Sequence, residues 1–290
     1  MLYESADDWM RAERRRVLLF GMSGLGKTHV SNILRSGGDW FHYSVDYRIG
    51  TRYMGEHIVD NFKAEAMRNP FLAHLLRSDS IYIAQNITFD NLSPLSTYLG
   101  KPGDAARGGI PFAEYQRRQE QHRVAEVAAL LDTGHFIDRA QRLYDYAHFV
   151  CDSGGSICEV VDPDDPSDPV MSHLAEHLLP VWIEGAEKHA DALAARFDAA
   201  PKPIYFGEPF LSELWSEYCR GKGLAEDEVD PDDFMRWGYR RSLTHRLPRY
   251  RAMAENWGVT VAADDIAAVT DDADFTALIA DTLAARRGAP

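Results

Sequence analysis

Residues Gly21-Met22-Ser23-Gly24-Leu25-Gly26-Lys27-Thr28 carry the pattern of a glycine, four variable positions and Gly-Lys-Thr. Each residue type has a chemical reason to be there. The glycines let successive backbone N–H groups turn inward to a phosphate, where a side chain would obstruct the approach. Lys27 is a point charge able to bridge β- and γ-phosphate oxygens, and Thr28 offers a hydroxyl to Mg²⁺. A helix starting at this point adds the positive end of its dipole. Gly21, Ser23, Gly24, Leu25, Gly26, Lys27, Thr28 and His29 are therefore expected to hold the phosphates of ATP.

Such a loop does not name a reaction, so the discriminating residues lie elsewhere. Asp46 ends the apolar run "WFHYSVD". At the end of a strand beside the loop, its carboxylate would take the proton of a substrate hydroxyl or hold Mg²⁺ through water. A helix cap or an Asx turn is its purely structural use. "HFVCDSGGS" repeats the arrangement, with Asp152 after an apolar run and then Gly154 and Gly155. Asp152 is expected to join Thr28 at Mg²⁺, and the glycine pair to let a substrate approach the main chain. A transferring phosphoryl group also needs cations around it. Arg196 and Lys202 near a helix end, Arg246 in "THRLPRY", and Lys101 and Arg107 in a glycine-rich stretch are available. Arg48 and Arg52, close behind Asp46, could face an anionic substrate, and "RRQEQHR" (Arg117 to Arg123) reads as mostly a solvated helix face.

These groups need a scaffold. The segments "RVLLFG", "WFHYSVD", "AHFVCD", "LLPVWIEG" and "WGVTVAAD" have strand character. Helical periodicity falls between or after them, in "KTHVSNILR", "FAEYQRRQEQHRVAEVAALL", "EKHADALAARF" and "DFTALIADTLAA". Strands alternating with helices predict an α/β fold, a parallel sheet covered on both faces, with ligands at the carboxyl ends of its strands. Residues 1–62 and 147–290 would form this core, with 204–243 as a helical insertion. Residues 63–146 would form a mostly helical insertion between the second and third core strands, in which "SIYIAQNI" could be an extra strand. The acidic, proline-containing stretches "VVDPDDPSDP" and "LAEDEVDPDD" read as surface loops.

Composition narrows the chemistry further. With 31 Lys and Arg against 45 Asp and Glu, the formal charge of −14 argues against a nucleic-acid partner. The longest apolar runs fall short of a membrane span, so no membrane role is expected. Cys151, Cys158 and Cys219 lack metal-type spacing, and a polar segment follows Met1, which points to a reducing cytoplasm. The eleven histidines form neither H-x-x-x-H nor H-E-x-x-H, and no G-x-S-x-G elbow occurs. Trp215, Tyr218, Trp237 and Tyr239 recur at helical spacings and read as packing residues.

Taken in order, several segments resemble the shikimate kinase group of small-molecule kinases. These are the phosphate loop, "VDYRIGTRYMGEHIVDNF", "VCDSGGS", "VWIEGAEKHADALAARFDAAPKPIYF" and "HRLPRYRAMAENWGVTV". The resemblance implies that Asp46 contacts a substrate hydroxyl, that Gly154 and Gly155 touch substrate, that Arg196 or Lys202 belongs to a lid, and that Arg246 holds an anionic group. Ser44 and Ser156 stand where that group has an acidic residue and a third glycine. The expected activity is transfer of the γ-phosphoryl group of ATP, with Mg²⁺, to a hydroxyl of a small molecule. Lys27, Asp46, Asp152 and Arg196 would carry the catalysis. Two other readings stay open: a nucleotide-regulated ATPase that binds a protein through the insertions, and a kinase acting on a nucleotide or macromolecular hydroxyl.

Overall fold

The structure, a computed structural model, describes residues 2–287. Its strands are β1 (Arg16–Phe20), β2 (Trp40–Ser44), β3 (His148–Asp152), β4 (Leu179–Glu184) and β5 (Val259–Ala262). The helices run from α1 (Ala6–Arg11) and α2 (Lys27–Ser36) through α3 (Val45–Arg48), α4 (Gly55–Met67), α5 (Pro70–Arg77) and α6 (Ser93–Leu99). They continue with α7 (Phe112–Leu131), α8 (Thr133–Tyr144), α9 (Pro169–His177), α10 (Glu187–Ala199) and α11 (Phe210–Lys222). Last come α12 (Pro231–Trp257), α13 (Ala263–Ala268) and α14 (Asp272–Arg287). Two compact units result. One comprises the chain up to Val45, Val127–Pro201 and the chain from Arg236 onward; the other comprises Asp46–Glu126 and Lys202–Met235.

The first unit holds the sheet. All pairings are parallel, in the order β2-β3-β1-β4-β5. Central β1 is apolar at four successive positions, Val17 to Phe20, all buried, as a strand covered on both faces must be. Side chains alternate across a strand, and β2 makes the two faces visible. Phe41 and Tyr43 meet Phe136 of α8. Trp40 points the other way, edge-on to Phe275 of α14, with its indole N–H donating to Asp272 at 2.7 Å. Helices therefore cover both faces, which makes three layers. The acidic loop after β3 is anchored rather than loose. Buried Asp168 caps α9 by accepting from the N–H groups of Val170 and Met171, and it also accepts from the N–H of Asp162.

The second unit is helical, and aromatic stacking organises it. Phe112 lies flat on Trp215 at 4.5 Å, and Phe234 packs edge-on against both Trp215 and Tyr218. Two expectations change here. Segment 80–87 forms no strand; Ile87 packs against Gly50 and the amide of Gln85 donates to Gly50 O. These contacts set it against Gly50 of the π-helical turn Ile49–Tyr53 instead of a sheet edge. Nor is the Arg117 to Arg123 run simply solvated: Gln119 and His122 are buried. Gln119 accepts from the N–H of Phe206 and His122 stacks on Tyr205, so this face of α7 is a polar clasp on the chain before α11.

Phe149 is 2% exposed and stacks on both Phe41 and Tyr43. Phe149→Ala should lower unfolding free energy by about 3–5 kcal/mol, read as a shifted urea midpoint at constant slope.

Candidate phosphate-binding site

The loop after β1 adopts a conformation only glycine holds without strain. Gly21, Gly24 and Gly26 have φ of 129°, 92° and 101°. Neighbours close around them as well. A Cβ on Gly21 would meet Ile183 O at 2.7 Å, and one on Gly24 would meet Leu193 at 2.9 Å. Gly26 is the N-cap of α2, whose amino end receives no side-chain cap and whose first turn holds no acidic residue. A helix terminus so left uncapped, behind a glycine loop, matches what an anionic phosphate requires. Ser23, Gly24, Thr28 and His29 face solvent, while Lys27 is buried and donates to the carbonyls of Gly21 and Met22.

The sheet brings Asp152 to this loop. Leu19 of β1 pairs with Asp152 of β3, so both strands end at the same edge. There the Thr28 hydroxyl donates to Asp152 Oδ2 at 2.7 Å. A hydroxyl and a carboxylate side by side are hard oxygen donors of the kind Mg²⁺ takes, so the residues fit that ion. His42 escaped the sequence reading. Its Nε2 lies 3.8 Å from the same Oδ2, from a buried position on β2. Strand adjacency alone would have found it, since His42 pairs with Val150 two residues before Asp152.

Other expected residues fall in several places. Arg196, exposed on α10, has its guanidinium 3.2 Å from where a Cβ of Gly24 would lie, so it stands over the loop. Gly154 and Gly155 are buried, and Gly155 packs so closely on Ser23 that an added Cβ would lie 2.7 Å from its hydroxyl. Tyr250 donates to Gly155 O; burial holds its phenol well above its ordinary pKa, so the proton stays on. Arg246 is buried and its Nε donates to the buried Glu159 carboxylate, where an anionic substrate group was expected. Burial opposes its charge, but Glu159 keeps the guanidinium protonated. Burial pushes the Cys158 thiol up to about 12, which removes it as a nucleophile at neutral pH.

In the helical unit, Asp46 is not the last residue of a strand. Strand β2 ends at Ser44, opposite Asp152, and Asp46 lies in the first turn of α3. The chain leaves the sheet there because β3 offers no further partner. Arg48 ends α3 with its guanidinium over the Tyr53 ring. Lys101 and Arg107 are tied to Asp232 and Asp230.

Sheet order and the covering helices define a three-layer α/β fold with a parallel sheet, and the glycine loop after β1 and the Thr28–Asp152 pair meet at its carboxyl edge. A solved structure of shikimate kinase from Bacteroides thetaiotaomicron is similar at 15% identity and a TM-score of 0.38, over 94% of this chain and 96% of that one. No family model and no curated protein matches the sequence. Among the described residues, no helix is long and apolar enough to cross a membrane.

Leaving either member of the Arg246–Glu159 pair buried alone should be costly. Arg246→Ala is expected to destabilise by about 3–5 kcal/mol, and Arg246→Met combined with Glu159→Leu to recover most of that loss, as denaturant unfolding of the two variants would record.

Proposed function

We propose that this chain is an ATP- and Mg²⁺-dependent kinase that phosphorylates a hydroxyl of a small molecule. The observation that carries the reading is the 2.7 Å hydrogen bond from Thr28 to Asp152 beside an uncapped helix terminus and a glycine loop. These two oxygens would hold Mg²⁺, which when bound neutralises charge on the phosphates and the transferring group.

The chain's own residues divide the remaining work. Backbone amides from Gly21 to His29, those of Ser23 and Leu25 among them, bind the β- and γ-phosphates. Lys27 exchanges its contacts with the Gly21 and Met22 carbonyls for phosphate oxygens. Arg196, exposed above Gly24, adds positive charge where negative charge spreads in the transition state. Asp46, two residues beyond the end of β2, accepts the acceptor's proton, and Arg48 orients an anionic part of the acceptor. Gly155 is the floor under Ser23, and Gly154 and Gly155 let the substrate approach the main chain. Arg246 acts through Glu159 as a support for that floor.

Incubation with Mg-ATP and a metabolite mixture, followed by mass spectrometry, tests the reaction. A phosphorylated product should appear. Asp46→Ala should cut it by about 10²-fold or more while nucleotide affinity is kept. Lys27→Ala should weaken nucleotide binding itself by about tenfold or more, measured by calorimetry. ATP turnover that ignores every metabolite and rises with a protein partner would replace the kinase with a regulatory ATPase.

A further inference from the structure

A cavity of about 310 Å³ adjoins the phosphate loop, within the sheet-bearing unit. Two of the loop's four variable positions, Met22 and Leu25, form one wall. Trp182 of β4, Leu193 of α10, and Leu247 and Tyr250 of α12 form the others. Nothing in phosphate chemistry asks for two bulky apolar side chains here. Ser23 between them turns the other way, to Gly155.

Two polar side chains around this cavity are engaged elsewhere, and the Glu187 carboxylate stands exposed at its edge. The Tyr250 hydroxyl donates to Gly155 O, leaving its ring to the cavity. His189 at the rim accepts from the N–H of Ala186 through Nδ1 and lies 3.3 Å from Asp264 through Nε2. Leu247 is 41% exposed, an apolar side chain standing in water at the mouth. A ligand with a carbon surface would cover it, at about 25 cal/mol for each Å² removed from water. A dry cavity of about 150 Å³ accommodates one benzene ring, so this one has room for about two fused rings or an equivalent branched chain. Leu193 and Arg196 are one turn apart on α10, and both meet the space above Gly24. Leu193, which lines the cavity, therefore ties it to the Gly24 side of the loop.

We propose that the phosphoryl acceptor is an alcohol with an apolar, bicyclic-sized body, and that this body binds in the cavity between the phosphate loop, α10 and α12. The proposal rests on the kinase reading and specifies its substrate class. A polyhydroxylated or strongly anionic body would lose its hydration there without gaining partners.

The test uses calorimetry on the full chain with Mg²⁺ and a non-hydrolysable ATP analogue, with 2-(1-naphthyl)ethanol as the probe and quinic acid as the polar control. Nucleotide binding is measured first and separately, so a failed kinase reading shows as no nucleotide binding. The naphthyl alcohol should bind at least tenfold more tightly than quinic acid. Leu247→Glu, at an exposed position that the fold does not depend on, should weaken the alcohol at least tenfold and leave the nucleotide unchanged. Ala190→Phe, which fills the cavity from α10, should do the same. Displacement of the alcohol by the nucleotide analogue would assign the cavity to the base and overturn the proposal. Equal binding of the two probes, or an unchanged affinity in Leu247→Glu, would overturn it as well.

Discussion

The pairing of β1 with β3 is the constraint on which the site depends. Leu19 opposite Asp152 fixes where both strands end, and that end is where the chain after β1 must turn. A parallel sheet brings all its carboxyl ends to one edge, so a loop after β1 and a carboxylate ending β3 meet whatever the rest of the chain does. Slipping the register by one residue would turn Asp152 to the other face, and the Thr28 hydroxyl would lose its acceptor.

Around that meeting point the loop is held from several sides. Ile183 and Trp182 press on Gly21, Leu193 and Arg196 on Gly24, Ile266 on Gly26, and Ser23 rests on Gly155. The glycines thus serve two purposes, positive φ and close approach. Amide donors fixed by packing need little reorganisation when charge develops nearby, which is where electrostatic catalysis gains most. The cost is a loop with little tolerance for added side-chain volume.

Behind the loop, Arg246, Glu159, Tyr250 and Cys158 form a buried polar layer. Arg249 adds to it through the carbonyls of Cys158 and Val161. Long helix α12 supplies three of these groups, so the segment Ser153 to Val161 is pinned to a helix instead of being left to solvent. Arg196 differs in kind. It is an exposed cation on α10, able to move toward a phosphate without breaking a buried pair.

Local chemistry made much of this legible in advance. The five strands are readable because consecutive or alternating apolar residues report burial, and the phosphate loop because glycine, lysine and threonine have few other reasons to share that spacing. Asp152 was readable from the strand it ends. His42, the clasp made by Gln119 and His122, the partner of Arg246 and the apolar wall beside Met22 and Leu25 were not. Each depends on which residues from distant segments come to lie together, and a linear pattern does not encode that. The fate of Asp46 shows the boundary. Apolar alternation runs on through Val45, but a strand ends where its neighbour stops offering hydrogen bonds. The sequence by itself therefore determined the five sheet strands and the glycine loop, both set by residues near in the chain, while tertiary structure alone decided strand order, burial of charge and the shape of the cavity.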